Sequence, residues 1–391
     1  MHRWYIPAAT ASPAVLRSAS IAAPGPGKWR FAPATAARAV VVLAISLAGQ
    51  VSAQQRLYLT NQDDATVSVI DVDSRTLIET VDLQKMGFGP QAKPHHTQEE
   101  SDGSYWYVTL IGAGKVLKLD RSNKIVGSVD MEVPGLMALD PNADLLLVAR
   151  SMSAVNPPKR MAIIRRSDMK LLDEVDVFFP RPHAIAIDPR GHYAYVGSLG
   201  VNQIASVRLA DNEVKLVDVD GPYHTLTQFA VSPDGRWLLA TGSTSNQLLV
   251  FDISEEGNPK YSRSVAQVGG PFESAFTGDG RQVFVTNLDS NAVAVVDVAT
   301  WSGTAVIRGP QFQQPHGIVL SPDGQDFWVS NRYQGGGMHD HEGHHPTGSG
   351  TAVSICIATR TVDGEVPVGH YAAGMSVANP ASAPPAPKPC K

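Results

Sequence analysis

One ten-residue pattern recurs along the chain. "PHHTQEESDG" (94–103), "PGLMALDPNA" (134–143), "PHAIAIDPRG" (182–191), "LTQFAVSPDG" (226–235), "PFESAFTGDG" (271–280) and "PHGIVLSPDG" (315–324) align without gaps. A shorter seventh copy, "AAGMSVANP" (372–380), closes the series. Successive copies start 40, 48, 44, 45, 44 and 57 residues apart. A period of that size means one supersecondary unit repeated, each burying its apolar face against the next.

Within each unit a short strand runs into a Pro-Asp-Gly type of turn. An aromatic or β-branched strand follows ("YWYVTL", "YAYVGS", "VFVTN", "FWVSN"), then a polar turn, an alternating strand ("TVSVIDV", "LLVFDIS", "AVAVVDV") and a fourth short strand. Val, Ile, Tyr and Phe at period two between Gly, Asp, Asn and Pro are strand and turn signals. Four strands in 40–45 residues make a propeller blade. The last copy supplies a first strand without followers, whereas "RLYLTNQDDATVSVIDV" (56–72) begins at a second strand. The pattern therefore predicts an all-β fold over 54–380. It is a single seven-bladed propeller of four-stranded antiparallel blades, whose N- and C-terminal strands share one blade and leave no long free edge.

The flanks differ in composition. "AVVVLAISLA" (39–48), preceded by Lys28, Arg30 and Arg38 and followed by "GQVSA", reads as an export leader over 1–53 cut after Ala53. A run of ten residues, nine of them apolar, falls short of the roughly 20 a spanning helix needs, so no permanent membrane anchor is expected. Export sets a periodic expectation of location, periplasmic or secreted. "PASAPPAPKPCK" (380–391) is Pro-rich, and 381–391 is expected to be a disordered tail. Cys356, in "AVSICIA", reads as a buried core thiol, and no C-x-x-C-H is present, which excludes c-type haem. A formal charge of −5 with 18% charged residues argues against nucleic acid as a partner. The expected partner is a periplasmic or cell-surface protein, met by a monomer.

"LYLTNQDDATVSVIDVDSRTLIETVDL" and "VFVTNLDSNAVAVVDVATW" resemble the YVTN-repeat β-propellers over essentially all of 56–380. "PHHTQEESDGSYWYVTLIGAGKVLKLD" looks like the His-His blade of the propeller domain of nitrous oxide reductases. More distantly the chain is similar to the haem d domain of cytochrome-cd nitrite reductases. The first resemblance implies copper held by histidines at strand starts, with His95 and His96 matching the His-His pair and His183 and His316 at comparable places. The other strand starts carry Gly135, Thr227, Phe272 and Ala373, so the full ligand set is missing, and no cupredoxin segment with Cys, His and Met follows. Nitrous oxide reduction is therefore not expected. The second resemblance implies a haem d-type tetrapyrrole held by one axial histidine, a weaker match than copper.

Connectivity places the histidines. His95, His183 and His316 occupy the second position of innermost strands, His96 follows His95, and His224 lies just ahead of its strand. The 57-residue spacing exceeds its neighbour by 13, and "GGGMHDHEGHHPT" (335–347) has 13 residues, so this segment is an insertion between second and third strands. That loop emerges on the face where innermost strands begin. Its His339, Asp340, His341, Glu342, His344 and His345 thus share a face with the five propeller histidines. Neutral imidazoles converging on one mouth suit copper, zinc, nickel or iron. The nine histidines are the candidate metal ligands. Each strand-start histidine could equally bond a neighbouring blade, and the loop could be an adventitious chelator. Glu99, Glu100 and Glu273 read as solvated or loop-bonded, and Trp106, Trp237 and Trp328 as inter-blade core.

Three functional readings stand at this stage. One is a copper-type site at the channel mouth, serving metal handling or redox partnership. Another is a non-enzymatic scaffold that binds a protein or surface. The third is a haem d-binding propeller or an enzyme of the lactonase or lyase kind. The lactonase kind needs carboxylates converging on a cation, and the second strand position carries no acid in any unit.

Overall fold

The computed structural model describes residues 54–150, 156–332 and 348–378. The leader 1–53, the insertion 335–347 with its histidines, and the tail 381–391 lie outside the described residues.

The described chain forms strands β1 to β28, paired antiparallel into seven four-stranded sheets. The terminal blade joins β28 (Ala372–Val377) to β1 (Arg56–Asn61), β2 (Thr66–Asp71) and β3 (Thr76–Asp82). The remaining blades follow in chain order and begin at β4 (Pro94–Glu99), β8 (Pro134–Leu139), β12 (Pro182–Ile187), β16 (Leu226–Val231), β20 (Pro271–Phe276) and β24 (Pro315–Leu320). We number the blades I to VII from the terminal one. This is a seven-bladed β-propeller closed by its own ends, as the period predicts.

Packing follows from the alternation. Each inner face of a blade meets the next, giving seven apolar cores, one per interface. Between blades I and II, Tyr58 stacks on Trp106 at 4.5 Å. Ring closure sets Leu57 and Leu59 of blade I against Trp328 and Ala352 of blade VII. Trp106 and Trp328 are fully buried, as expected of core, whereas Trp237 is half-buried and meets Trp301 edge-on. Outermost strands keep residues such as Leu77, Ile78, Leu171 and Leu172 exposed, having no further neighbour to cover them.

The Pro-Asp-Gly turns close one end of the ring. Ser232 Oγ accepts from Trp237 N at 2.9 Å, Asp234 accepts from Arg236 N at 3.0 Å, and Gly235 adopts φ +70°. Ser321 and Gly324 repeat the arrangement in blade VII. Only glycine adopts that φ without a Cβ penalty.

At the other end the chain enters each innermost strand through a left-handed residue. Lys93, Val133, Arg181, Thr225, Gly270, Gln314 and Tyr371 have φ from 42° to 61°. A register shift follows at once, as between Pro94 and His96, Pro182 and Ala184, and Pro315 and Ile318. Such bulges re-aim side chains. In blades II and VI they bring both the second and the third residue of the innermost strand, His95 with His96 and Phe272 with Glu273, to the channel.

Cys356 corrects an expectation. It is buried, as predicted, but it is disulfide-bonded, not a free thiol.

Candidate functional site

Each innermost strand lies at the edge of its sheet, so seven free strand edges wall a central channel. The second position contributes His95, Gly135, His183, Thr227, Phe272, His316 and Ala373 in ring order. Gly135 carries no side chain, and the rings of His95 and His183 meet across it, edge-on at 5.6 Å between centroids. His316 lies tilted on Phe272 at 4.2 Å. Arg332 covers Phe272 at 5.0 Å and Tyr371 at 4.6 Å from their ring centroids. All of these belong to the face where innermost strands begin. Pro315 pairs with Asn331 and Asn331 with Thr351, so the residues flanking the 335–347 insertion belong to that face too.

The third position does a different job. An innermost strand has unpaired N–H groups on its free edge, and a buried one must find an acceptor. His96 Nδ1 accepts from Met137 N of the next blade at 3.2 Å. Gln228 Oε1 accepts from Ser274 N at 3.1 Å, and Glu273 Oε2 from Ile318 N at 3.2 Å. These are three versions of one inter-blade strut.

The second-position histidines are held more loosely. His183 Nδ1 lies 2.6 Å from the Thr227 carbonyl, which can only accept, so Nδ1 carries the proton and Nε2 keeps its lone pair. His95 Nδ1 faces the Gln62 amide at 3.0 Å, and His95 Nε2 is buried without a hydrogen bond. Neither ring nitrogen of His316 has a hydrogen bond, and its Nδ1 sits 3.7 Å from Glu273 Oε1.

Burial sets the charges. The four channel histidines are exposed by no more than 9%. Burial, then the neighbouring His183, His96 and Arg332, hold His95 well below the usual imidazole range. Burial and Arg332 do the same to His316. Burial takes His96 down to about 3 and His183 to about 4. Burial pushes Glu273 up to about 8, against the pull of the Ile318 hydrogen bond and Arg332. At neutral pH the mouth is four neutral imidazoles and a protonated carboxyl beside one guanidinium. Among the described residues no three His, Cys, Asp or Glu side chains form a ready-made metal cage.

The structure thus brings together His95, His96, His183 and His316 and leaves His224 aside. His224 is buried in the approach to β16, with Nδ1 2.8 Å from Ser245 Oγ and Nε2 3.1 Å from the Asp220 carbonyl. His339, His341, His344 and His345 lie outside the described residues. Glu100 is bonded to Tyr107 and Arg166, as a loop-bonded acid should be. Of the two readings for Glu99 and Glu273, solvated or loop-bonded, the solvated one fails, because both are buried. Burial raises Glu99 to about 8 as well. The second position carries no acid in any blade, as the sequence shows, but the third position brings one, Glu273, to the wall. Sequence reasoning passed over Arg332. Its signal was "SNR", where a cation follows a second strand.

On the comparison with known proteins, no family model matches the chain and no curated protein sequence matches it. Solved structures do match. A functionally unknown protein from Desulfotomaculum acetoxidans DSM 771 aligns with a TM-score of 0.67 at 14% identity, over 83% of this chain and 99% of its own. The Kuenenia stuttgartiensis hydrazine synthase aligns at 0.58 and 20% identity, over 72% and 88%. The dihydro-heme d1 dehydrogenase NirN, solved in complex with DHE, aligns at 0.55 and 15%, over 82% and 74%. These likenesses define the class, a seven-bladed β-propeller. At such identities they speak for the fold alone.

Proposed function

We propose that this is an exported propeller that binds one copper ion, in its monovalent state, between His95, His183 and His316, and serves metal handling or electron exchange with a partner protein. The observation that carries the reading is the set of buried imidazole nitrogens without hydrogen bonds, His95 Nε2 and both of His316. Buried polar atoms are ordinarily paired, and unpaired ones ask for an explanation. His183 adds a lone pair on Nε2. As placed, the Gln62 NH2 group faces His95 Nδ1; turning the amide over brings its oxygen there and frees Nε2 of His95 as an acceptor. The 5.6 Å between the His95 and His183 rings suits two imidazoles sharing an ion.

Charge argues for the oxidation state. The candidate ligands are neutral, Glu273 is protonated, and Arg332 is close enough to depress both His95 and His316. A monovalent ion meets half the repulsion of a divalent one at the same distance. Imidazoles accept copper readily. The disulfide at Cys356 supports export, since such bonds persist in oxidising compartments. His96 is not among the ligands, because its strut bond to Met137 places the proton on Nε2.

The test is the metal content and visible spectrum of untagged protein purified from its export compartment. Near-stoichiometric copper without a tetrapyrrole band supports the reading. A tetrapyrrole band would favour the haem d alternative, and a colourless, metal-free protein that takes up no Cu(I) would favour the scaffold.

A further inference from the structure

Beyond the waist formed by the third-position residues, the channel opens toward the Pro-Asp-Gly turns as a cavity of about 590 Å3. Its floor includes His96, Gln228 and Glu273, with Gln98 two residues further along the strand of His96. Its wall mixes apolar side chains from the later positions of the innermost strands, such as Ile185, Phe229, Phe276 and Leu320, with the polar Ser274, Thr277 and Ser321. Among the described residues no Lys, Arg or Asp lines it. The volume lies within the roughly 300–1,000 Å3 of small-molecule sites.

The struts decide what the floor offers. Because His96 Nδ1 accepts the Met137 N–H, the ring carries its proton on Nε2, its remaining polar atom. Because Gln228 Oε1 is occupied by the N–H and hydroxyl of Ser274, its NH2 group is left to donate. Gln98 is the reverse, since its Nε2 donates to the Met137 carbonyl at 3.3 Å and its Oε1 is left to accept. Donors on blades II and V therefore stand at the floor of a chamber that no described Lys or Arg lines. His96 and Glu273 are themselves more than nine-tenths buried.

We infer that this cavity is a second binding site, on the face opposite the histidine mouth, for a neutral, ring-sized organic molecule whose inner end carries carbonyl oxygens. His96 Nε2–H and the Gln228 amide would donate to those oxygens while the walls cover the ring. Discrimination follows from unequal costs. A hydrocarbon of the same shape leaves the floor donors unpaired, which is expensive in a buried site. A carboxylate enters a chamber without a lining cation and loses its hydration.

The experiment uses menadione as the carbonyl-bearing probe, with 2-methylnaphthalene and 1-naphthoate as its hydrocarbon and anionic counterparts. Binding is measured by calorimetry and saturation-transfer NMR on metal-free protein, so the outcome is independent of the copper reading. Menadione is expected to bind at least tenfold tighter than either counterpart. Gln228→Glu keeps the acceptor for Ser274 but replaces the donor, and should weaken menadione at least tenfold. Ala230→Trp fills the cavity without touching a strut and should abolish binding. Equal affinities for the three probes overturn the inference, as does menadione binding that survives Ala230→Trp.

Discussion

The Met137 N–H points at Nδ1 of His96 from 3.2 Å, and this bond determines which nitrogen of that ring can meet a ligand. The proton must sit on Nε2. In 15N–1H NMR of selectively labelled protein, His96 should appear as the Nε2–H tautomer from pH 5 to 8. Its shifts should hardly change on adding Cu(I), whereas those of His183 and His316 should move. A large Cu(I)-dependent shift at His96 would mean that the strut breaks on loading.

The buried titratable groups give the metal-free protein a stability maximum. Unfolded histidines take up protons below about 6.5, while His96 and His183 in the fold resist until about 3 and 4, and His95 and His316 are held well below normal. Stability therefore rises with pH up to about 6.5. Glu99 and Glu273 keep their protons to about 8 in the fold but lose them near 4.5 when unfolded, so they lower stability as pH climbs between those values. Four histidines outweigh two acids below 6.5, and above it the acids act alone. Urea midpoints should peak near pH 6.5 and fall toward pH 8. Glu99→Gln combined with Glu273→Gln should flatten the fall, and a steady rise through pH 8 in the parent protein would contradict the account.

Gly374 lets blade I approach blade II. A Cβ there would stand 2.4 Å from the His95 carbonyl and 2.8 Å from His96 Cα, both backbone atoms that cannot swing away. Gly374→Ala should cost about 1–3 kcal/mol, the range for overpacking. Gly303, on an outermost strand, has nothing within 4 Å, and Gly303→Ala should be neutral or stabilising by up to about 1 kcal/mol. Urea unfolding of the two variants checks the contrast.

Cys356 should resist alkylation in denaturant until a reductant is added. Reduction should lower the melting temperature and cost about 2–5 kcal/mol of stability, as for other native disulfides. Mass spectrometry of iodoacetamide-treated protein reads the first, and calorimetry the second.

Blade number, blade order and the shared terminal blade were legible because a repeat writes the same pattern seven times. The sidedness of His95, His183 and His316 was legible because antiparallel order fixes which face a strand starts from. What alternation could not show was the bulge. A strict period of two sends neighbouring residues to opposite faces, so His95 and His96, or Phe272 and Glu273, should not both reach the channel. The left-handed residue and register shift before each innermost strand remove that exclusion. Tautomers were equally hidden, because Met137 and Thr227 act through backbone atoms that any residue would supply. So was the burial of Glu273, which depends on blades VI and VII meeting.

The most direct measurement for the central claim is an anaerobic Cu(I) competition titration against a chromogenic chelator. It compares the parent protein with His183→Ala, His316→Ala and a variant lacking 335–347. The account predicts one tightly held Cu(I), lost in both histidine variants and retained in the deletion. Retention in both histidine variants with loss only in the deletion would move the chelator to the loop and contradict it, as would the absence of a tight site in the parent protein.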